Sequence, residues 1–194
     1  MKLPKIGQVR LKQHRSVPSE YRLKSVTVSQ TPSGKYYASI LFEYEDQVEE
    51  KKLQKFLGLD FSMHELYRDS NGKEPAYPGY YRNAEKKLAR EQRKLSKMQK
   101  GSNNRNKQGL KVAKLHEKVS NQRKDFLHKW SRQTTNAYDC VCIEDLDMKA
   151  MFRSLNLGKS VSDNGWGMFI TFLKYKLEEQ GKKLVRVDRF FASS

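Results

Sequence analysis

Lys55-Phe56-Leu57-Gly58-Leu59-Asp60-Phe61-Ser62 is a short, nearly continuous apolar run that closes on an acid. It is too short for an amphipathic helix and has the profile of a buried strand. A second run of the same kind lies within Tyr138 to Leu146, where Cys140-Val141-Cys142-Ile143 ends on Glu144. Continuous apolar strands belong to sheets covered by other layers. What separates and follows them is helical in pattern. Strands alternating with helices predict an α/β domain from about residue 51 to 194.

The stretch from Asn83 to Lys100 lacks Gly and Pro and is rich in Lys, Glu, Arg, Leu and Gln, which predicts a helix capped by Asn83 with Glu85 in its first turn. Gly101-Ser102-Asn103-Asn104 breaks it. A second helix follows, with Leu115, Val119, Phe126 and Trp130 on its core side. After Glu144, Asp163 is the expected cap of a helix over 164–180 whose Trp166, Phe169, Ile170, Leu173 and Leu177 share a face, with Gly181 as its stop. Leu184 to Asp188 is the next strand, and His64 to Arg68, with a turn at Asp69-Ser70-Asn71-Gly72, is a further one.

Upstream, residues 21–28 and 36–44 alternate apolar and polar positions on either side of Thr31-Pro32-Ser33-Gly34, a hairpin signal. A strand around Gly7 to Lys12 is expected to join that hairpin. Residues 1–50 are therefore expected to form a small β module of their own, incomplete as a core. The aromatic pairs Tyr36/Tyr37 and Tyr80/Tyr81 have the chemistry to stack on bases, but packing in the β module and in loops, respectively, is expected of them.

The chain's 39 Lys and Arg outnumber its 22 Asp and Glu, a formal charge of +17. Sixteen of those cations, against four acids, fall between Asn83 and Ala137. A helical hairpin this basic is suited to a phosphate backbone. Its candidate nucleic-acid contacts are Lys86, Lys87, Arg90, Arg93, Lys94, Lys97, Lys100, Arg105, Lys107, Lys111, Lys114, Lys118, Arg123 and Lys124. No charged-then-apolar leader and no apolar run near the ~20 residues of a bilayer span is read in the sequence, so no membrane partner and a cytoplasmic setting are expected, and a nucleoplasmic setting fits as well. Cys140 and Cys142 point the same way along a strand, a poor geometry for a disulfide, and are expected in the core. The four histidines lack zinc-ligand spacing with them, so no zinc is expected within the chain.

An acid ending a buried strand is costly unless it meets a cation or a hydrogen-bond donor. Asp60 and Glu144, brought to one sheet, would offer hard oxygen ligands to Mg²⁺ or Mn²⁺. The spacing leaves an alternative open: two strand-end acids held by Lys, Arg or backbone amides.

Five segments in order strengthen the first reading: Leu57 to Asp60, Lys86 to Ser96, His116 to Lys129, Ile143 to Leu146, and Lys183 to Asp188. Together they resemble the TnpB (OrfB) family, transposon-encoded RNA-guided DNA nucleases related to type V CRISPR effectors. The resemblance implies an RNase H-like (RuvC) mixed sheet carrying the long basic hairpin, preceded by the end of a wedge β-barrel. It implies DNA and a guide RNA as partners and a divalent metal at Asp60 and Glu144, the family's first and second catalytic acids. The third acid, an aspartate, and the zinc ribbon that follows a segment like Phe190 to Ser194 are expected beyond Ser194. Asp145 and Asp147 have no role in that pattern, and Asp188 is at most a fallback acid.

Overall fold

The computed structural model describes residues 2–14, 16–45, 48–62, 64–147 and 165–188. Two compact units are present, Met1–Gln47 and Val48–Ser194.

In the first unit, β1 (Lys2–Leu3) pairs with β2 (Gly7–Gln8), and β3 (Arg22–Gln30) pairs with β4 (Tyr36–Glu43), both antiparallel. The expected early strand is thus two residues long, and it pairs with Lys2–Leu3 rather than with the hairpin. Residues 10–14 after it are exposed, and Leu11 finds no apolar face to cover it. The hairpin closes through Thr31, whose amide donates to Lys35 O at 2.8 Å. Its register sets Val26 opposite Ile40 and Leu23 opposite Phe42, giving one apolar face. Tyr36 and Tyr37, expected to pack, are exposed among the described residues, because two strands bury little of either face.

The second unit is built on a four-stranded sheet of order β6 (Tyr67–Asp69), β5 (Phe56–Phe61), β7 (Cys140–Glu144), β8 (Lys183–Val187). β5, β7 and β8 are parallel, and β6 is antiparallel to β5. Alternation turns Leu57, Leu59, Val141 and Ile143 inward, where they meet Leu127 of the second helix and Trp166, Phe169, Leu173 and Leu177 of the third. Those nine residues are essentially water-free.

Helix α1 (Tyr80–Ser96) starts three residues before the expected cap. Gly79, in the left-handed conformation, lets the chain turn directly into the helix. Tyr80 packs edge-on against Phe126, and Asn83, already inside the helix, donates its side-chain amide to Pro78 O at 2.8 Å. Helix α2 (Asn103–Ala137) spans 35 residues, about 52 Å. Ser102 caps it by accepting from Arg105 N at 3.2 Å. Its buried apolar positions are Val112, Val119 and Leu127, with Phe126 and Trp130 on the flank of the core. Helix α3 (Trp166–Glu178) starts after Gly165, and the expected cap Asp163 lies outside the described residues. No helix among the described residues is long and apolar enough to cross a membrane.

Gly181 ends α3 at φ +67°. Its carbonyl accepts Lys51 N at 2.9 Å, and a side chain there would collide with the Glu49 carbonyl. The approach to β5 is thereby laid against the α3–β8 turn.

Candidate metal centre and cationic hairpin

Asp139 aligns the two central strands from their N-terminal ends. Its Oδ2 accepts the amides of Gln54 and Lys55 at 3.3 and 3.1 Å, while Lys55 O accepts Asp139 N and Cys140 N at 2.8 and 3.0 Å. Those amides, the Lys55 N–H foremost, hold the Asp139 carboxyl below its ordinary range. Phe56 therefore pairs with Cys140, and the register runs on to Leu59 opposite Ile143. Asp60 and Glu144 come next, side by side on strands about 4.8 Å apart.

Alternation places both acids on the face of the sheet opposite the helical core. Asp60 is exposed and Glu144 half-buried. This corrects the expectation of two desolvated carboxylates: Leu59 and Ile143 take the buried positions. They line a cleft of about 550 Å³ together with Gly58, Arg68, Cys142 and Asp188. Gly58 keeps part of its floor open.

The neighbouring acids have structural partners. Asp69 Oδ1 accepts Asn71 N and Lys73 N at 2.9 and 2.8 Å, closing the turn after β6. Asp145 pairs with Arg186 at 2.7 Å, and Glu74 with Arg68. The side chains of Asp60 and Glu144 have no hydrogen bond or ion pair among the described residues. Two adjacent carboxylates that make no ion pair repel one another, and a divalent ion shared between them removes that repulsion. The donor set of two hard oxygens suits Mg²⁺ or Mn²⁺ but fills only part of a shell. No group of three or more His, Cys, Asp or Glu side chains is placed to hold a metal among the described residues.

Cys140 is buried and Cys142 half-buried, and both are free thiols. Burial and the neighbouring Cys142 push the Cys140 thiol up. His116 bonds Gln92 at 3.2 Å, and His128 stacks on Phe172 with ring centroids 3.8 Å apart.

The cationic hairpin divides into cations that hold it together and cations that face solvent. Glu91, on the α1 face toward α2, is 1% exposed. It accepts from Gln108 Nε2 at 2.9 Å and Lys111 Nζ at 3.0 Å, with Arg90 and Lys94 at 3.3 and 3.4 Å. The Gln108 amide first, then Lys111, lower its carboxyl to about 2. Arg105 reaches back to the end of α1, donating to Leu95 O and Met98 O at 2.7 and 2.9 Å. Arg90, Lys94, Lys111 and Arg105 are therefore committed at least in part to the hairpin itself, and Arg123 is half-buried. Lys86, Lys87, Arg93, Lys97, Lys100, Lys107, Lys114, Lys118 and Lys124 are exposed. On α2, Lys107, Lys111, Lys114 and Lys118 fall on one stripe at helical spacing.

Sequence reasoning missed Arg68, Asp139 and Glu91, and it found Gly181 as a helix stop but not its close approach to Glu49. Asp139 and Glu91 acquire their roles from partners distant in the chain, and Arg68 from its place across the β5–β6 ladder from Asp60.

The family model OrfB_IS605, described as "Probable transposase", matches residues 39–155, and the Cas12f1-like TNB domain matches residues 166–194. Two curated proteins named "Putative RNA-guided DNA endonuclease" are similar to the chain. The one from Streptomyces pristinaespiralis is 33% identical over 93% of this chain and 44% of its own length. The other, InsQ of Escherichia coli (strain K12), is 32% identical over 98% and 50%. The chain thus spans about half the length of these relatives. Among solved structures, a chain of the cryo-EM structure of the Cas12f1-sgRNA-target DNA complex matches with a TM-score of 0.55 at 15% identity, over 87% of this chain and 36% of that one. That likeness shows a shared mixed α/β fold. Since the transposase model covers more than half of the chain, the protein belongs to the TnpB (OrfB) family of transposon-encoded proteins.

Proposed function

We propose that this chain carries part of the nuclease centre of an RNA-guided DNA endonuclease, with Asp60 and Glu144 as two acids of a metal-binding set on an RNase H-like (RuvC) sheet. Residues 1–50 are the end of a wedge-type β-barrel, and residues 51–194 an incomplete RuvC domain. The observation that carries this reading is the pair of unpartnered, side-by-side carboxylates at the ends of two parallel strands, opening into one cleft. The names of the relatives and the shared α/β fold support it. Mg²⁺ or Mn²⁺ bound there would polarise a phosphodiester and activate water. The chain's own contribution is to align Asp60 with Glu144 through the Asp139 clamp and to offer the exposed hairpin lysines to DNA and guide RNA.

Two carboxylates are a partial ligand set, and loss of one ligand from a two-metal centre cuts phosphodiester hydrolysis severely. The chain alone is expected to bind nucleic acid with little or no cleavage. Plasmid and single-stranded DNA incubated with the chain and Mg²⁺ or Mn²⁺ should stay intact, as with Asp60→Ala. Robust cutting abolished by Asp60→Ala would refute the expectation of inactivity and leave the site assignment standing.

A second reading, a nucleic-acid-binding regulator that does not cut, is favoured by the lysine stripe of α2, which stands apart from the acids.

A further inference from the structure

Arg68 stands directly across from Asp60 in the β5–β6 ladder. Directly opposed residues share one face with Cβ atoms about 5 Å apart, a distance at which Arg ordinarily neutralises Asp. It does not do so here. Arg68 Nε donates to Glu74 instead, the residue that follows the Asp69–Lys73 turn. Asp60 is left without a partner among the described residues, and the guanidinium is held beside it within the same cleft.

An arginine has five N–H donors. Glu74 takes the one on Nε, and neither terminal nitrogen has a hydrogen bond among the described residues. An exposed ion pair of this kind contributes little to stability, so holding the sheet edge is a weak account of the arrangement. Two free NH₂ groups in a fixed plane match two oxygens of a phosphate. The cleft then offers carboxylates for a cation on one side and a planar donor on the other, and a phosphodiester is the group that answers both.

We propose that Arg68 is a phosphate-holding residue of the cleft, positioned by Glu74 to bind a nucleic-acid phosphodiester beside Asp60 and Glu144. This rests on reading those acids as a metal centre. Its test keeps the two apart.

The probe is a short fluorescein-labelled single-stranded DNA, titrated with the full chain by anisotropy across a KCl series in EDTA. Arg68→Gln is expected to weaken binding about 5-fold or more and to reduce the salt slope by about 0.7, the value for one phosphate neutralised on a single strand. Arg68→Lys, which retains charge without the planar fork, should restore most of the slope and only part of the affinity. Asp60→Asn should tighten binding by removing a like charge from the phosphate's neighbour, and its effect should depend on whether Arg68 is present.

An unchanged slope in an Arg68→Gln protein that melts like the parent overturns the proposal. So do additive effects of Arg68→Gln and Asp60→Asn, which would put the phosphate elsewhere. A parallel series in Mg²⁺ at matched ionic strength reports on the acids: tightening that Asp60→Asn abolishes supports the metal reading. Its absence alongside a coupled fall in slope sinks the metal reading and upholds Arg68.

Discussion

Lys176 is 3% exposed, on the face of α3 that meets α2. Its ammonium donates to Ser131 Oγ at 2.6 Å and His128 O at 2.9 Å, near the rings of Phe172 and Tyr175. Burial foremost, then Arg132, lower its pKa from 10.5 to about 8, against an opposing pull from Glu179. Between those values the unfolded chain holds a proton that the folded chain has released, so stability rises with pH across the window. The ceiling is about 1.4 kcal/mol per pH unit, and the hydrogen bonds to Ser131 Oγ and His128 O, which favour the charged form, hold the total to about 1–2 kcal/mol. Below pH 8 both states are protonated and the penalty of the buried charge is fully present. Lys176→Met removes the charge and keeps the stem. The groups left behind already satisfy each other, since Ser131 Oγ donates to His128 O at 3.1 Å. The variant is therefore expected to be more stable than the parent at pH 7 by about 1–2 kcal/mol, the gap closing toward pH 10. Urea unfolding followed by tryptophan fluorescence measures this unit selectively, because both tryptophans, Trp130 and Trp166, lie in Val48–Ser194. The difference between the two proteins isolates Lys176 from the other titrating groups. A gap that does not change from pH 7 to 10, or a variant less stable than the parent at pH 7, would refute the reasoning.

Gly181→Ala forces a side chain into the left-handed region, a cost of about 1–2 kcal/mol, and into the Glu49 carbonyl. A loss of at least about 2 kcal/mol in the same urea assay is expected, and an unchanged midpoint would deny the close approach. Replacing Lys107, Lys114 and Lys118 together by Ser should lower the salt slope of single-stranded DNA binding by about 2, at about 0.7 per phosphate neutralised. A slope equal to that of the parent would remove the α2 stripe from the interface. Glu91→Gln should speed amide exchange along α1 and the first half of α2 at neutral pH. The stabilisation from the Glu91 carboxylate is present above the ordinary carboxylate range and is lost as pH falls toward about 2. Parent and variant should then converge in acid, and equal exchange at neutral pH would show that the clasp contributes nothing.

The strands of the second unit were legible because apolar runs bounded by turn residues have few other fates. The run Lys55 to Ser62 became β5, one residue shorter at each end, and Cys140 to Glu144 became β7 with the same bounds. The long helices were legible from composition and from the Gly101-Ser102 break. The start of α1 was less so. Asn83 is a good cap by local propensity, but the Gly79 turn and the packing of Tyr80 on Phe126 began the helix sooner.

Sequence by itself determined which residues alternate, and hence that Asp60 and Glu144 each sit at the end of an apolar strand. It also determined that the hairpin is cationic, since charge counts need no coordinates. Tertiary structure alone decided what those charges do. Strand register, fixed by the Asp139 clamp far from the acids, set Asp60 beside Glu144 and Arg68 across from Asp60. Helix packing turned Arg90, Lys94 and Lys111 toward Glu91 and left Lys107, Lys114 and Lys118 in water. The reason is that pairing depends on distances of a few ångströms between residues tens of positions apart, and a one-dimensional pattern specifies each residue's face but not its neighbour.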